Sequence, residues 1–106
     1  MNRGDVYWVN LDPTQGSEIK KERPCVVVSA SPINKARRTV VVVPLSSSAQ
    51  IRPPLVVSVF CKGKQAAVIC DQIRAIDKSR LQKLIGNLSE IEMNTLEDSL
   101  RQVLVL

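Results

Sequence analysis

Gly16-Ser17-Glu18-Ile19-Lys20-Lys21-Glu22-Arg23-Pro24-Cys25-Val26-Val27-Val28-Ser29-Ala30 is a charged loop that runs straight into an apolar strand. Pro24 disfavours helix at Arg23 and turns that residue toward extended backbone. Arg23 is therefore expected at the mouth of a strand, where a rigid sheet can hold a guanidinium still. Loops anchored on rigid scaffolds are where function concentrates. A charge run of this length is also what a solvated connection between two strands looks like. The strand it enters, residues 24–30, is apolar enough to predict burial on both faces.

Upstream, residues 4–11 (GDVYWVNL) mix β-formers with alternation and predict a strand. Val6, Trp8 and Asn10 face one way, and Asp5, Tyr7, Val9 and Leu11 the other. Asp12-Pro13-Thr14 stops it. Downstream, Ser31-Pro32 has the form of a helix start, Ser at N-cap and Pro at N1, for a turn or two of helix. Residues 39–45 (TVVVVPL) are a third, central strand, with Pro44 expected at its end because proline has no N–H for a ladder. Leu55 to Phe60 form a fourth strand, Lys62-Gly63-Lys64 a hairpin turn, and residues 66–70 a fifth strand. Asp71 to Asp77 alternates polar and apolar and predicts a further strand. Asp77-Lys78-Ser79-Arg80 predicts a helical turn begun by an Asp77–Arg80 pair, and Leu81–Leu88 a last strand. Ser89-Glu90-Ile91-Glu92 has capping-box spacing. The helix it opens carries Leu96, Leu100, Val103 and Leu104 on one face and ends near Leu106. The whole is a single domain, mainly β with a C-terminal helix: a small, twisted, antiparallel sheet curled into a partly closed barrel.

Composition narrows the function. With 106 residues, 44% hydrophobic and 24% charged, the chain is an ordinary globular domain rather than a disordered tail. Net charge is +5, unevenly spread: residues 1–83 carry 14 Lys/Arg against 6 Asp/Glu, and the last 23 residues carry Arg101 against four carboxylates. A basic body with an acidic end suits a polyanionic partner. Aromatics are confined to Tyr7, Trp8 and Phe60, too few for a platform that stacks several bases. There is no His, and Cys25, Cys61 and Cys70 form no CxxC pair, so neither a metal site nor a cofactor is expected. Cys25 and Cys70 read as core filler. Three cysteines without a secretion signal point to the cytoplasm. The longest apolar run, Val40 to Leu45, is far short of the ~20 residues that span a membrane.

Taken together, Gly4-Asp5-Val6-Tyr7-Trp8-Val9, Leu11-Asp12-Pro13-Thr14, Gly16-Ser17-Glu18, Arg23-Pro24 with its strand, and Asp71-Gln72-Ile73-Arg74-Ala75-Ile76-Asp77 resemble the MazF/PemK toxins of bacterial toxin–antitoxin pairs. The resemblance covers nearly the whole chain in order and spacing. It implies a small SH3-like barrel of the CcdB/PemK type, working as a homodimer. It also implies a ribosome-independent endoribonuclease that cuts single-stranded RNA at short sequences. The partner it implies is a cognate antitoxin that lays an acidic, otherwise disordered tail over the toxin. The family's catalytic Arg falls on Arg23, and its hydroxyl residue, usually Thr, on Ser46. An Asp used by the plasmid-borne branch falls on Asp71, with Ile69 where that branch has a second Arg and Ser17 where it has a His.

RNA is cut without metal when its own 2′-hydroxyl attacks the adjacent phosphate. The site must take that proton, neutralise charge on phosphorus and protonate the departing 5′-oxygen. Arg23 suits the second task, because its planar fork grips two phosphate oxygens and stays charged. Ser46 is expected to hydrogen-bond the phosphate or the attacking hydroxyl, and Glu18 and Asp71 are the candidate bases. Lys20, Lys21, Arg37, Arg52, Lys62 and Lys64 are expected to track the RNA backbone. The loops Thr14–Arg23 and Ser46–Pro54, with Ser17 and Ser47, are expected to read bases on a splayed single strand. Two rival readings are a gyrase poison of the CcdB type and a non-catalytic basic nucleic-acid-binding module. The first expects a Trp near the C-terminus, where this chain has Val103-Leu104-Val105-Leu106. The second accounts for the charge but not for Arg23 and Ser46.

Overall fold

A computed structural model describes residues 1–18 and 21–106, so the expected RNA contact Lys20 lies outside the described residues. The strands are β1 (Asp5–Asn10), β2 (Glu22–Val27), β3 (Thr39–Ser46), β4 (Val56–Cys61), β5 (Lys64–Ile69), β6 (Arg74–Asp77) and β7 (Leu81–Asn87). Two helices join them, α1 (Ser31–Ala36) and α2 (Glu90–Leu104). The strands run in the order β4-β5-β3-β2-β1-β7, all antiparallel, with β6 paired to β3. The sheet curls until its two ends meet. Gly86 on β7 lies against the end of β4, where an added Cβ would stand 3.2 Å from Lys62 Cε and 3.5 Å from Cys61 Sγ. No ladder joins β4 to β7 among the described residues, so the barrel is partly closed, as the succession of short-linked strands predicts.

A buried cluster lies on each face of the sheet's centre, and β2, which feeds both, is apolar for that reason. Val26 joins Val6, Val43, Val57, Val59 and Val68 in one cluster, which α2 completes with Met93, Leu96 and Leu100. Cys25 and Val27 point the other way into a second cluster with Val9, Leu11, Val40, Val42 and Ile76. The alternation expected in β1 holds: Val6 lies in the first cluster, and Val9 and Leu11 in the second. The β4–β5 connection is a tight turn at Lys62-Gly63, both with positive φ (52° and 74°), a conformation glycine favours and hairpins require.

Several local expectations shift. The N-cap of α1 is Ala30 rather than Ser31, because the Ser31 hydroxyl accepts from the Arg3 amide instead. Pro44 lies inside β3, at the point where that strand passes from β6 to β5 along one edge. A residue without an N–H is tolerated at such a break. Residues 71–77 are not one strand: Cys70–Gln72 form a 3-10 turn, and β6 begins at Arg74. Asp77 opens the next 3-10 turn by accepting from the Ser79 amide at 2.9 Å, which is also the leading reason its carboxyl titrates below the usual range. Arg80 turns away from it to the carbonyls of Asn10 and Asp12. Ser89 caps α2 as expected, accepting from the Glu92 amide at 3.3 Å. Glu92 does not complete the box; its carboxylate accepts the Phe60 amide of edge strand β4 at 3.1 Å and ties the helix to the sheet.

Leu96 is fully buried where α2 meets the first cluster. Leu96→Ala should lower unfolding free energy by about 2–5 kcal/mol, the range for deleting a buried leucine side chain. Urea denaturation should show this as a lower midpoint with an unchanged slope.

Candidate active site

A break in the β2–β3 ladder makes the site. β2 and β3 pair Val27 with Val42, Val26 with Val43 and Cys25 with Pro44, and there the ladder ends. The Val28 amide donates to the Val41 carbonyl, and residues two apart share an edge, so the amide that would donate to β3 beyond the ladder's end is that of residue 24, a proline without an N–H. The strands part, and a cleft of about 310 Å³ opens between them. Continuing the same register by two residues would set Arg23 opposite Ser46. Both residues line the cleft, with Trp8, Glu22, Pro24, Leu45, Ser47, Cys61, Lys64, Gln65 and Ile85 among its other lining residues.

The Arg23 guanidinium is uncommitted. Its Nε is buried and has no hydrogen-bond partner among the described residues. The ion pairs among those residues are Arg3–Glu97, Arg101–Glu97 and Arg101–Asp98, and none uses Arg23. The loop carboxylates that could have neutralised it are engaged elsewhere. Glu22 accepts from Trp8 Nε1 at 2.9 Å and from Gln82 Nε2 at 3.1 Å. Glu18 accepts from the Gln15 amide at 2.7 Å. A partly buried cation without a counter-charge is costly, and such a group is satisfied by an anion from outside.

Ser46 closes β3 and is only 8% exposed. Its Oγ accepts from the amides of Ser48 and Ala49, both at 3.2 Å, and lies 3.4 Å from Ser48 Oγ. A seryl oxygen has two acceptor positions and one proton. With both positions taken by backbone amides, the hydroxyl is left as a donor. The same hydroxyl caps the turn and belongs to a residue of the cleft wall, with Ser48 Oγ at 3.4 Å as its partner inside the chain.

Of the expected site residues, Arg23, Ser46, Ser47 and Lys64 meet at the cleft. Lys62 stands beside it in an adjoining hollow with Trp8, Lys83, Leu84 and Ile85. Ser17, Lys21 and Arg52 are exposed and do not line it, and Arg37 lies by α1 in a different hollow with Ile33 and Thr39. Glu18 is held in its own loop turn. Asp71 follows the far end of β5: the cleft takes Lys64 to Ala66, and the strand runs on to Ile69, roughly 10 Å at strand spacing, before Asp71 is reached. Within one protomer neither expected base reaches the cleft lining. Glu22, Trp8 and Gln65 are among the cleft residues that sequence reasoning did not single out. The one usable signal was the β1 alternation that set Trp8 on the same face as Val6.

The loop before Arg23 is pinned at its base. The Lys21 amide donates to Asp12 Oδ1 at 2.9 Å, and the Leu11 amide to the Lys21 carbonyl at 3.0 Å. Arg74 donates to the Leu11 carbonyl at 3.4 Å, and Arg80 to the carbonyls of Asn10 and Asp12. Asp12 and Arg74, both in motifs that the sequence made conspicuous, therefore fix where β2 begins. Burial pushes the Cys25 thiol up to about 12 and the Cys70 thiol up to about 11, so both are inert filler.

Fold and cleft together define a small β-barrel with an arginine and a serine facing one another where two of its strands part. The family model described as PemK-like, MazF-like toxin of type II toxin-antitoxin system matches residues 2–104, and the chain belongs to that family. It is 36% identical over 110 residues to Endoribonuclease MazF9 of Mycobacterium tuberculosis, covering 95% of this chain and 93% of that protein. It is 32% identical over 105 residues to Endoribonuclease MazF of Staphylococcus saprophyticus, covering 94% and 88%. Among solved structures, MazF (Form-I) from Deinococcus radiodurans superposes with a TM-score of 0.88 at 23% identity, covering 100% of this chain and 97% of that one. An endoribonuclease in complex with its cognate antitoxin from a mycobacterial species gives 0.84 at 24%, covering 100% and 96%. These two likenesses establish the fold.

The hydrogen bonds from Trp8, and then from Gln82, hold the Glu22 carboxyl below its ordinary 4.5. A lowered carboxyl pKa means that the contribution is in place above 4.5 and is lost as pH falls through the lower, folded-state value. Trp8 is the chain's single tryptophan. Its emission should therefore change in acid with a midpoint below 4.5, and Glu22→Gln should abolish that transition.

Proposed function

We propose that this toxin endoribonuclease cuts single-stranded RNA in the Arg23–Ser46 cleft by attack of the RNA's own 2′-hydroxyl, without a metal ion. The observation that carries the reading is a guanidinium that pairs with no carboxylate among the described residues, across a parted ladder from a serine whose oxygen already accepts two backbone amides. The 2′-oxygen forms a bond to phosphorus as the bond to the 5′-oxygen breaks. The 2′-hydroxyl proton is released and the 5′-oxygen gains one, leaving a cyclic phosphate and a 5′-hydroxyl. Arg23 neutralises the charge that grows on the phosphoryl oxygens, and Ser46 donates to one of them. Ser47, Lys64 and Lys62 hold the flanking backbone. Glu18 and Asp71 stand outside the cleft of one protomer, so the chemistry assigned here rests on Arg23 and Ser46.

The curated relatives are endoribonucleases by name, and one structural neighbour is bound to its cognate antitoxin. In our reading this chain is likewise neutralised by an antitoxin, with an acidic segment that competes with RNA for the basic cleft. It works as a homodimer in the cytoplasm. No helix among the described residues is long and apolar enough to cross a membrane. A gyrase poison is not favoured: the single tryptophan is Trp8, built into the cleft wall far from the C-terminus.

Wild-type protein should cut single-stranded RNA in EDTA. Arg23→Ala should lose about 100- to 1,000-fold in rate, the scale of removing one preorganised electrostatic donor, while its circular dichroism is unchanged. Arg23→Lys should fall between, since it keeps the charge but not the fork. Undiminished cutting by Arg23→Ala, or cutting that EDTA stops, would show the assignment to be wrong. Sedimentation at micromolar concentration should give a dimer; a monomer there contradicts the assembly proposed.

A further inference from the structure

Glu22 is a carboxylate in a cleft otherwise fitted for an anion, and neither of the tasks assigned to the cleft uses it. It cannot hold phosphate, because like charges repel. It is a poor proton acceptor, because Trp8 Nε1 and Gln82 Nε2 each donate to one of its oxygens and hold the proton off. Those two bonds leave each oxygen one acceptor position and fix the carboxylate as a rigid two-pronged acceptor. Around it the cleft is apolar: Trp8, Pro24, Leu45 and Ile85 form a floor on which a flat ring can lie. Lys62 and Lys83 flank the Trp8 side and suit the next phosphate along the strand.

We propose that Glu22, braced by Trp8 and Gln82, is a guanine-reading subsite beside the scissile phosphate. Among the four bases, guanine alone presents two adjacent donors on its pairing edge, N1–H and the N2 amino group, at the spacing of two carboxylate oxygens. Adenine and cytosine pair one donor with an acceptor that would face the carboxylate, and uracil flanks its single N–H with two carbonyls. Single-stranded RNA exposes that edge, which a duplex hides. The subsite gives the RNA-cutting reading, on which it rests, a sequence preference that the lysines and Arg23 cannot supply, since phosphate contacts carry no sequence.

Trp8 emission reports on the subsite directly. Wild type and Glu22→Gln are titrated with 2′-O-methyl hexanucleotides, uncleavable because the attacking hydroxyl is blocked, each a uridine run with one guanine, inosine or adenine. Wild type should bind the guanine strand about tenfold or more tighter than the inosine strand, which lacks only the N2 amino group, and tighter than the adenine strand. Glu22→Gln, folded by circular dichroism, should bind all three equally through the Arg23 end. No guanine preference in wild type, or a preference that survives in Glu22→Gln, overturns the subsite. Cleavage of the matching unmodified RNA separates the two claims. RNA cut equally well with and without guanine overturns the subsite while leaving the catalytic reading. Guanine-selective binding without cutting supports the subsite while removing the catalysis.

Discussion

A guanidinium kept half inside a sheet with no carboxylate to pair with is the constraint on which the site depends. Burying a charge without a partner opposes folding, so the surrounding structure has to hold Arg23 in place and hold its would-be partners away. It does both with ordinary hydrogen bonds. Trp8 and Gln82 occupy Glu22, and the Gln15 amide occupies Glu18. Asp12, Arg74 and Arg80 clamp the strand entrance from the other side of the loop. Destabilisation at one residue is offset by contacts distributed over β1, β6, β7 and the loop base.

The cleft follows from the absence of one amide proton. Most strand pairs in this chain run their ladders to the end, but β2 and β3 separate at Pro24, which has no N–H to give to the facing strand. Below the break, Cys25, Val26 and Val27 lock the two strands into the core with no measurable exposure. Above it, Arg23 and Ser46 are left on facing strand ends that are rigid in position yet open to a ligand. Rigid support immediately beneath an unpaired pair of strand ends is a simple way to preorganise two groups without a bound metal ion.

Much of this was legible in the sequence. The strands, the hairpin at Lys62-Gly63, the Ser89 cap and the double-faced burial of β2 all follow from local patterns. So does the position of Arg23, because Pro24 constrains its backbone whatever lies across from it. What was not legible is pairing between distant segments. Nothing local says that β3 divides one edge between β6 and β5, and an alternating run from Asp71 to Asp77 reads as one strand until the core contact of Cys70 turns it into a 3-10 turn. For the same reason Asp71 and Glu18 looked close to Arg23 by motif and charge, whereas Glu22, its sequence neighbour, proved to be the carboxylate in the cleft. Arg80 was misplaced because the Ser79 amide is a nearer donor for Asp77, which freed the arginine to reach residues some 70 positions away in the chain.

The central claim is that Arg23 is unpaired at rest and pairs with RNA phosphate when the strand arrives. Nuclear magnetic resonance of the Arg23 Nε–Hε group, assigned by its loss in Arg23→Lys, tests this in the intact protein. The account predicts a free-state resonance typical of a guanidinium without a carboxylate partner, which moves downfield as an uncleavable 2′-O-methyl RNA is added and moves in step with Ser46. A resonance already shifted downfield in the free protein, and unmoved by saturating RNA, would contradict it.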